Sequence, residues 1–167
     1  MKSALITAVA AFVLYLILTV GTGNILLWSS AEIIAGVLLS IAAGIFGRKL
    51  LFKNEDYRML NPVRWLYFIA YLGPFLFAMA KANIDVAYRV ITGRINPGIV
   101  KISPNLKTDL GITMLGNSIT LTPGTLSVDI DEKANDLYIH WINVKHKEPE
   151  IEEICNGFPK WIRRIAE

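Results

Sequence analysis

The first 47 residues are almost free of charge, and this feature limits what the chain can fold into more than any other. Between Lys2 and Arg48 the only acidic or basic side chain is Glu32. A helix that is apolar on all sides is either buried in a large protein or spans a lipid bilayer. Most charged residues of the 167-residue chain come later, from Lys81 onward, so its two halves suit two different solvents.

Two apolar stretches make up this uncharged half. Residues 4–20 carry no charge and would extend about 26 Å as a helix, within the range of a membrane span. Residues 21–24, Gly-Thr-Gly-Asn, break the pattern as a tight turn does, and residues 25–47 form the second stretch. Backbone groups in lipid must bond internally, so we predict a transmembrane helical hairpin over residues 1–47. A cleaved signal peptide led by Lys2 is the alternative interpretation of the first stretch.

The loop that follows the hairpin predicts its orientation. Five basic residues lie between positions 48 and 64, whereas the turn at 21–24 carries no charge. Lysine and arginine are enriched in cytoplasmic loops of membrane proteins. The sequence therefore predicts a cytoplasmic basic loop at 48–61 and a turn on the outer side of the membrane.

A third apolar segment is expected to form a long helix over residues 62–93. Asn61 and Pro62 are a good helix start, and Gly93 is the next firm stop. Residues 65–80 are apolar on all sides, and Gly73-Pro74 should kink the helix there.

The number of membrane crossings stays open between two and three. Hydropathy alone favours a third crossing by residues 62–93. That crossing would put the following cations, Lys81, Arg89 and Arg94, on the outer side, against the charge rule. The charges favour two spans, with the third helix at the cytoplasmic interface or against partner subunits.

Residues 94–167 predict a small cytoplasmic α+β domain, with the order strand, helix, strand, strand, helix. Alternating residues predict a half-buried strand in which Leu126, Val128 and Ile130 face the core. The last helix has acidic residues at its start and basic residues at its end, which complements the helix dipole. Pro159 is expected to bend it. The predicted fold is thus a transmembrane hairpin, a kinked third helix and an α+β domain.

Two features are candidates for ion chemistry or docking. Glu32 is an acid inside an apolar stretch, which is a functional hypothesis by default; the alternative is a position near the outer interface, in reach of water. Lys81, Asp85 and Arg89 recur every four residues on one helix face, as in a subunit-docking surface, a proton relay or a solvated face with ion pairs.

Other functional classes find no support in the sequence. The net charge of +3 and the absence of a basic cluster interleaved with aromatics argue against nucleic-acid binding. His140, His146 and the single Cys155 do not form a metal-ligand pattern. No constellation for catalysis and no cofactor motif is found, so we expect a non-catalytic chain without cofactors.

Four strings carry a resemblance to a known family. They are residues 81–86 (KANIDV), 106–109 (LKTD), 117–125 (NSITLTPGT) and 138–140 (YIH). Together they resemble the MrpE/MnhE family, the E subunits of the Mrp-type multisubunit cation/proton antiporters. The string at 117–125 is the most specific; within it the residues of unknown role are Asn117, Thr120, Thr122, Pro123 and Gly124.

The resemblance implies an accessory subunit of a multisubunit sodium/proton antiporter module. Such modules also form part of archaeal membrane-bound hydrogenases and related respiratory complexes. The implied partners are the other subunits of a hetero-oligomer in the cell membrane, and the ion path belongs to larger subunits. Glu32 lies outside the strings that carry the resemblance. A stand-alone membrane adaptor, which binds a soluble partner through its cytoplasmic domain, is the alternative.

Overall fold

The computed structural model describes residues 2–20, 28–51, 57–146 and 149–167, with only the backbone at 48–51. The predicted turn at 21–24 and residues 52–56 of the predicted basic loop lie outside the described residues. The chain divides into two compact units, Met1–Tyr57 and Arg58–Glu167. In its described residues the first unit contains two packed helices, α1 (Lys2–Leu18) and α2 (Ser30–Leu51).

Small residues bring the two helices of the first unit close together. Gly36 faces the rings of Phe12 and Tyr15, and a Cβ at Gly44 would lie 2.6 Å from the carbonyl oxygen of Ala4. With the buried Ser40, these glycines recur every four residues along one side of α2. This spacing of small residues is typical of helix pairs packed in a membrane.

In contrast to a soluble protein, the hairpin buries polar side chains and exposes large apolar ones. Its buried residues include Thr7 and Ser40, whose hydroxyls donate to carbonyls of their own helices. Its large apolar side chains point outward; Leu18 is 71% exposed and Phe46 is 81% exposed. Such a surface is stable only when lipid or another apolar partner covers it.

The second unit contains one long helix and an α+β core. Its elements are α3 (Pro62–Thr92), β1 (Gly98–Ile102), α4 (Asp109–Leu121), β2 (Thr125–Asp131), β3 (Asp136–Trp141), α5 (Ile151–Cys155) and α6 (Phe158–Ala166). The antiparallel sheet has the order β1-β3-β2. Its inner face, with Leu137 and Ile139 fully buried, packs against α4, and α4 in turn packs against α6.

Helix α3 begins and ends as the sequence predicts. The Asn61 side chain accepts a hydrogen bond from the backbone N–H of Val63, and Gly93 ends the helix in the left-handed conformation with a φ of 66°. The helix continues through Pro74 for 31 residues. By length and composition, α3 and the 30–47 part of α2 could each cross a membrane, with mean hydropathies of 1.4 and 1.9; α1 is apolar but shorter.

The carboxyl-terminal helix is broken at a different place from the one predicted. Asn156 and Gly157 both adopt left-handed conformations and separate α5 from α6. Pro159 lies in the first turn of α6. Backbone N–H groups in the first turn have no acceptor within the helix, so proline is tolerated there. The prediction that Pro159 bends one continuous helix was therefore wrong.

The sequence pattern predicts strand β2 correctly but assigns its faces wrongly. Leu126 and Val128 are about half exposed, and a bulge interrupts the register between Ser127 and Asp129. Ser127 instead faces the core, where its hydroxyl donates to the Gly116 carbonyl of α4. The polar side chain of Ser127, bonded to α4, therefore lies on the face that the sequence pattern assigned to apolar residues.

Candidate functional site

One face of α3 is packed along the α+β core of the second unit. The residues of this face recur every three or four positions and are the less exposed ones of the helix: Arg64, Phe68, Tyr71, Phe75, Ala78, Ala82 and Val86. At its centre the Tyr71 hydroxyl donates a 2.7 Å hydrogen bond to the Ser118 hydroxyl, and the Tyr71 ring meets that of Phe158 edge-on. Phe158 is fully buried, which contributes about 2–3 kcal/mol.

The packed face extends over nearly the whole helix. At one end a guanidinium N–H of Arg64 donates to the carbonyl of Ile165 at 2.7 Å. At the other end the Val86 side chain lies against Gly124, where a Cβ would be 3.1 Å from it. These two contacts are about 33 Å apart along the helix axis, which is close to the thickness of a bilayer's hydrocarbon core.

The opposite face of α3 is exposed and apolar from end to end. Its most prominent side chains are Leu66, Ile69, Phe77, Ile84 and Ile91, which are 62% to 84% exposed. Among the residues of α3, all of which the structure describes, no charged side chain lies on this face. We call these five residues and the small residues between them the apolar face; it is about 38 Å long.

The predicted docking row runs from Lys81, beside the apolar face, to Arg89, whose side chain is only 15% exposed and which lies on the packed side of the helix. The Arg89 guanidinium makes two hydrogen bonds to the Asp85 carboxylate, at 2.6 and 3.0 Å, and also donates to the Arg94 carbonyl. Asp85 and Arg89 therefore bond to each other and help to close the helix end. Lys81 is exposed one turn earlier.

Most residues of the 117–125 string hold the end of α4 in place. The Thr122 hydroxyl donates to the Ser118 carbonyl, and that of Thr125 donates to the Ile119 carbonyl. The Thr120 hydroxyl accepts the backbone N–H of Ser127 on β2. Pro123 and Gly124 form the turn between α4 and β2, and Gly124 has a φ of 87°. These contacts give the hydroxyl-rich string a structural role.

Asn117 is exposed, unlike Ser118 and Ile119, which follow it in the string. It lines an open cleft of about 460 Å³ between α4 and β2, together with Thr113, Thr120, Asp129 and Glu132. Two of the side chains that line the cleft, Asp129 and Glu132, are acidic.

Glu32 lies in the first turn of α2 and takes part in a capping box. Its carboxylate accepts the backbone N–H of Ser29 at 2.7 Å, and the Ser29 hydroxyl accepts the backbone N–H of Glu32 at 3.3 Å. This reciprocal pair satisfies two backbone donors that the start of a helix leaves open. Nearby, the Trp28 indole N–H donates to the Thr19 hydroxyl at the end of α1. Glu32 thus sits at the closed end of the hairpin.

Metal and thiol chemistry find no support in the described part of the chain. It contains no group of three or more His, Cys, Asp or Glu residues placed to hold a metal ion. Cys155 is fully buried, and burial raises the pKa of its thiol to about 12. The neutral thiol is a poor nucleophile at physiological pH.

The sequence did not predict that α3 packs on the α+β core. Tyr71, Phe75 and Phe158 were not among the predicted site residues, although they connect the two parts. A signal was present in the three- and four-residue spacing from Arg64 to Val86. It was hidden because apolar residues also occupy the other face of the helix.

Comparison with known proteins gives consistent relatives. A family profile described as "Na+/H+ ion antiporter subunit" (MNHE) matches residues 8–165. The E subunit of the Na(+)/H(+) antiporter of Alkalihalophilus pseudofirmus is 41% identical over 87 residues, 51% of this chain and 55% of that protein. The corresponding subunit of Bacillus subtilis is 33% identical over 140 residues, 83% of this chain and 85% of that protein. The E1 subunits of two Staphylococcus species are matched over only 59% and 60% of their length.

A solved structure extends the likeness to the whole chain. A chain in the structure of the membrane-bound sulfane sulfur reductase, an archaeal respiratory membrane complex, is 39% identical. The match covers 99% of both chains with a TM-score of 0.80. The resemblance inferred from the four sequence strings is confirmed, and this chain belongs to the MNHE family of Na+/H+ ion antiporter subunits.

Proposed function

We propose that this chain is an accessory, non-conducting subunit of a hetero-oligomeric sodium/proton antiporter module. Family membership and the antiporter subunits that the chain resembles support this role. The match to a chain of an archaeal respiratory membrane complex, over 99% of both chains, favours a module attached to a respiratory complex of that kind.

The observation that carries the proposal is the packing of α3 on the α+β core. Because α3 is engaged in this way, the hairpin of α1 and α2 remains as the part of the described chain that spans the membrane. The hydroxyls buried between these helices, those of Thr7 and Ser40, are bonded to their own helices. Two such helices do not enclose a polar path, so ions must cross through other subunits.

The same packing favours two membrane crossings and a third helix parallel to the membrane surface. If α3 crossed the bilayer, the core packed along it from Arg64 to Val86 would enter the hydrocarbon. That core carries exposed cations on α6, including Arg163 and Arg164, and charged groups are costly there. With α3 parallel, the apolar face contacts lipid or neighbouring subunits. The α+β domain then lies on the cytoplasmic side with the basic loop.

Single cysteines test this sidedness. A cysteine at Lys133, exposed after β2, should react with an impermeant thiol reagent only from the cytoplasmic side. Cysteines at Thr22 and Asn54, which lie outside the described residues, should react from the outer and the cytoplasmic side respectively. The native Cys155 serves as an internal control, because a fully buried thiol should not react in either direction. Labelling of the Lys133 position from outside would mean three crossings.

Flux measurements test the accessory role. Deletion of the chain should lose or destabilise the complex, while the isolated chain in liposomes should pass sodium and protons no faster than empty liposomes. Ion flux through the isolated chain would overturn the proposal. If the chain purifies alone from its native membrane and its deletion leaves exchange intact, it is a stand-alone adaptor instead.

For Asp85 and Arg89 we retain a docking role; Asp85 lies on the edge of α3 between its packed and apolar faces, and Arg89 holds it from the packed side. Asp85→Lys would break the bidentate pair and put three cations in this row, where like charges repel by a few tenths of a kcal/mol per pair. A larger loss should come from any charged group left unmatched on a neighbouring subunit. We expect the purified mutant complex to lose subunits; a full complement with normal transport would rule out docking here.

A further inference from the structure

One flank of the apolar face carries tyrosines and cations. Tyr67, Lys81 and Tyr88 are separated by multiples of seven residues and therefore lie on one side of α3. The Arg164 guanidinium lies 5.8 Å from the centre of the Tyr67 ring, and Arg94 donates a 3.0 Å hydrogen bond to the Tyr88 hydroxyl. We call these five residues the basic–tyrosine flank; its three cations are all exposed.

The other flank of the apolar face has a different character. Within α3 it carries Trp65, Leu72, Met79 and Val90, none of which is charged. Asp85, one turn after Lys81, is paired with Arg89. The exposed side of α3 thus combines a long charge-free apolar stripe with a positive edge.

We propose that the basic–tyrosine flank binds the phosphate groups of anionic phospholipids, while the apolar face rests among the upper parts of their acyl chains. This rests on the proposed parallel orientation of α3. Tyrosine rings favour the boundary between headgroups and hydrocarbon, and long cationic side chains reach from there to phosphate. Each cation near an anionic membrane surface strengthens binding about fivefold.

The occupant is a lipid surface because charge and shape both match one. A planar hydrocarbon boundary accommodates an apolar stripe of about 38 Å without any further complementarity. The cations are grouped on one edge of that stripe, and the proposed parallel orientation would place them at the level of the lipid phosphates.

Local lipid composition near Lys81 tests the inference in the intact complex. A fluorescent label on Ile84→Cys, one turn from Lys81 on the apolar face, reports quenching in phosphatidylcholine bilayers. The bilayers contain equal small fractions of doxyl-labelled phosphatidylglycerol or doxyl-labelled phosphatidylcholine, and other reactive cysteines of the complex are replaced. We expect the phosphatidylglycerol quencher to be several-fold more effective.

Variants identify the groups responsible. Lys81→Gln and Arg164→Gln should each lower the preference for phosphatidylglycerol by up to about fivefold, and high salt should lower it as well. Lys133→Gln, which removes an exposed cation in the turn after β2, should leave it unchanged.

Two results would overturn the inference. Equal quenching by both lipids would show that α3 touches the membrane without selecting its headgroups. Protection from both quenchers would show that another subunit covers the apolar face. Neither result affects the proposed accessory role. That role is tested separately, by the subunit content of the complex and by ion flux.

Discussion

The hydroxyl of Tyr71 on α3 donates a 2.7 Å hydrogen bond to the hydroxyl of Ser118 on α4, and both residues are buried. Ser118 in turn donates to the carbonyl of Met114 in its own helix. This chain of bonds joins the most apolar part of α3 to the helix that carries the family string. One face of α3 is therefore part of the α+β core, and the opposite face is apolar and exposed.

Removal of this bond should weaken the second unit measurably. Tyr71→Phe loses one buried hydrogen bond, for which we expect about 0.5–1.5 kcal/mol of destabilisation. Tyr71→Ala also removes the ring packed on Phe158 and should cost about 3–5 kcal/mol. Unfolding of the full chain in detergent measures both changes in stability. The control is Leu66→Ala on the exposed face, which should change the free energy of unfolding by close to zero. A Tyr71→Ala chain as stable as this control would show that α3 does not pack as described.

Gly124 should tolerate no side chain. Its φ of 87° disfavours any residue with a Cβ, and that Cβ would lie 3.1 Å from both Ile142 and Val86. We expect Gly124→Ala to destabilise the chain by about 1–3 kcal/mol. The matched control is Gly73→Ala, in α3, where the Cβ meets open space and alanine should stabilise the helix by up to about 1 kcal/mol. Equal effects of the two substitutions would contradict this account of the turn.

The hairpin should depend on Gly44. A Cβ at this position would lie 2.6 Å from the Ala4 carbonyl oxygen and 2.9 Å from the Ala8 Cβ, so Gly44→Val should force α1 and α2 apart. Gly47→Ala places its Cβ 3.4 Å from Thr7 and should be tolerated. The amount of this chain retained in the purified complex is the readout. Full retention with Gly44→Val would mean that the helices do not pack through this glycine.

Glu32 is expected to act through its helix cap rather than in ion transfer. Glutamine can accept the same hydrogen bond from Ser29, so Glu32→Gln should leave assembly intact and lower transport less than tenfold. Glu32→Ala removes the cap and should cost about 0.5–2 kcal/mol of stability. Loss of sodium/proton exchange in a fully assembled Glu32→Gln complex would instead place the carboxylate in the ion path.

Local signals in the sequence were enough to predict most elements of the second unit. The Asn61 cap, the Gly93 stop and the strand predicted at residues 97–102 depend on neighbouring residues. The structure confirms them, with the strand at Gly98–Ile102. The break after α5 had a local signal, the Asn156-Gly157 pair, which favours the left-handed conformation, and this signal was missed. The faces of β2 depend on distant contacts. Ser127 turns inward because the Gly116 carbonyl lies there, and no local pattern reveals that.

The family string shows the same limit at the level of function. Its residues were recognisable in the sequence, but their separate roles were not. Thr120 bonds to β2 and Thr122 to Ser118, and these contacts depend on the fold. Asn117 is exposed, as are Thr120 and Leu121, and it lines the polar cleft.

The depth of α3 in the membrane tests the central claim most directly. The depth of a nitroxide label can be measured in the reconstituted complex from its accessibility to oxygen and to a water-soluble relaxation agent. Four positions on the apolar face carry the label in turn: Leu66, Phe77, Ile84 and Ile91. A label at Leu38, exposed on α2, marks the hydrocarbon, and one at Lys133 marks water. A helix parallel to the surface places all four α3 labels at one shallow depth, about 5–10 Å below the headgroups. A spanning helix would change the depth by about 16 Å between Leu66 and Phe77, and that gradient would contradict the account.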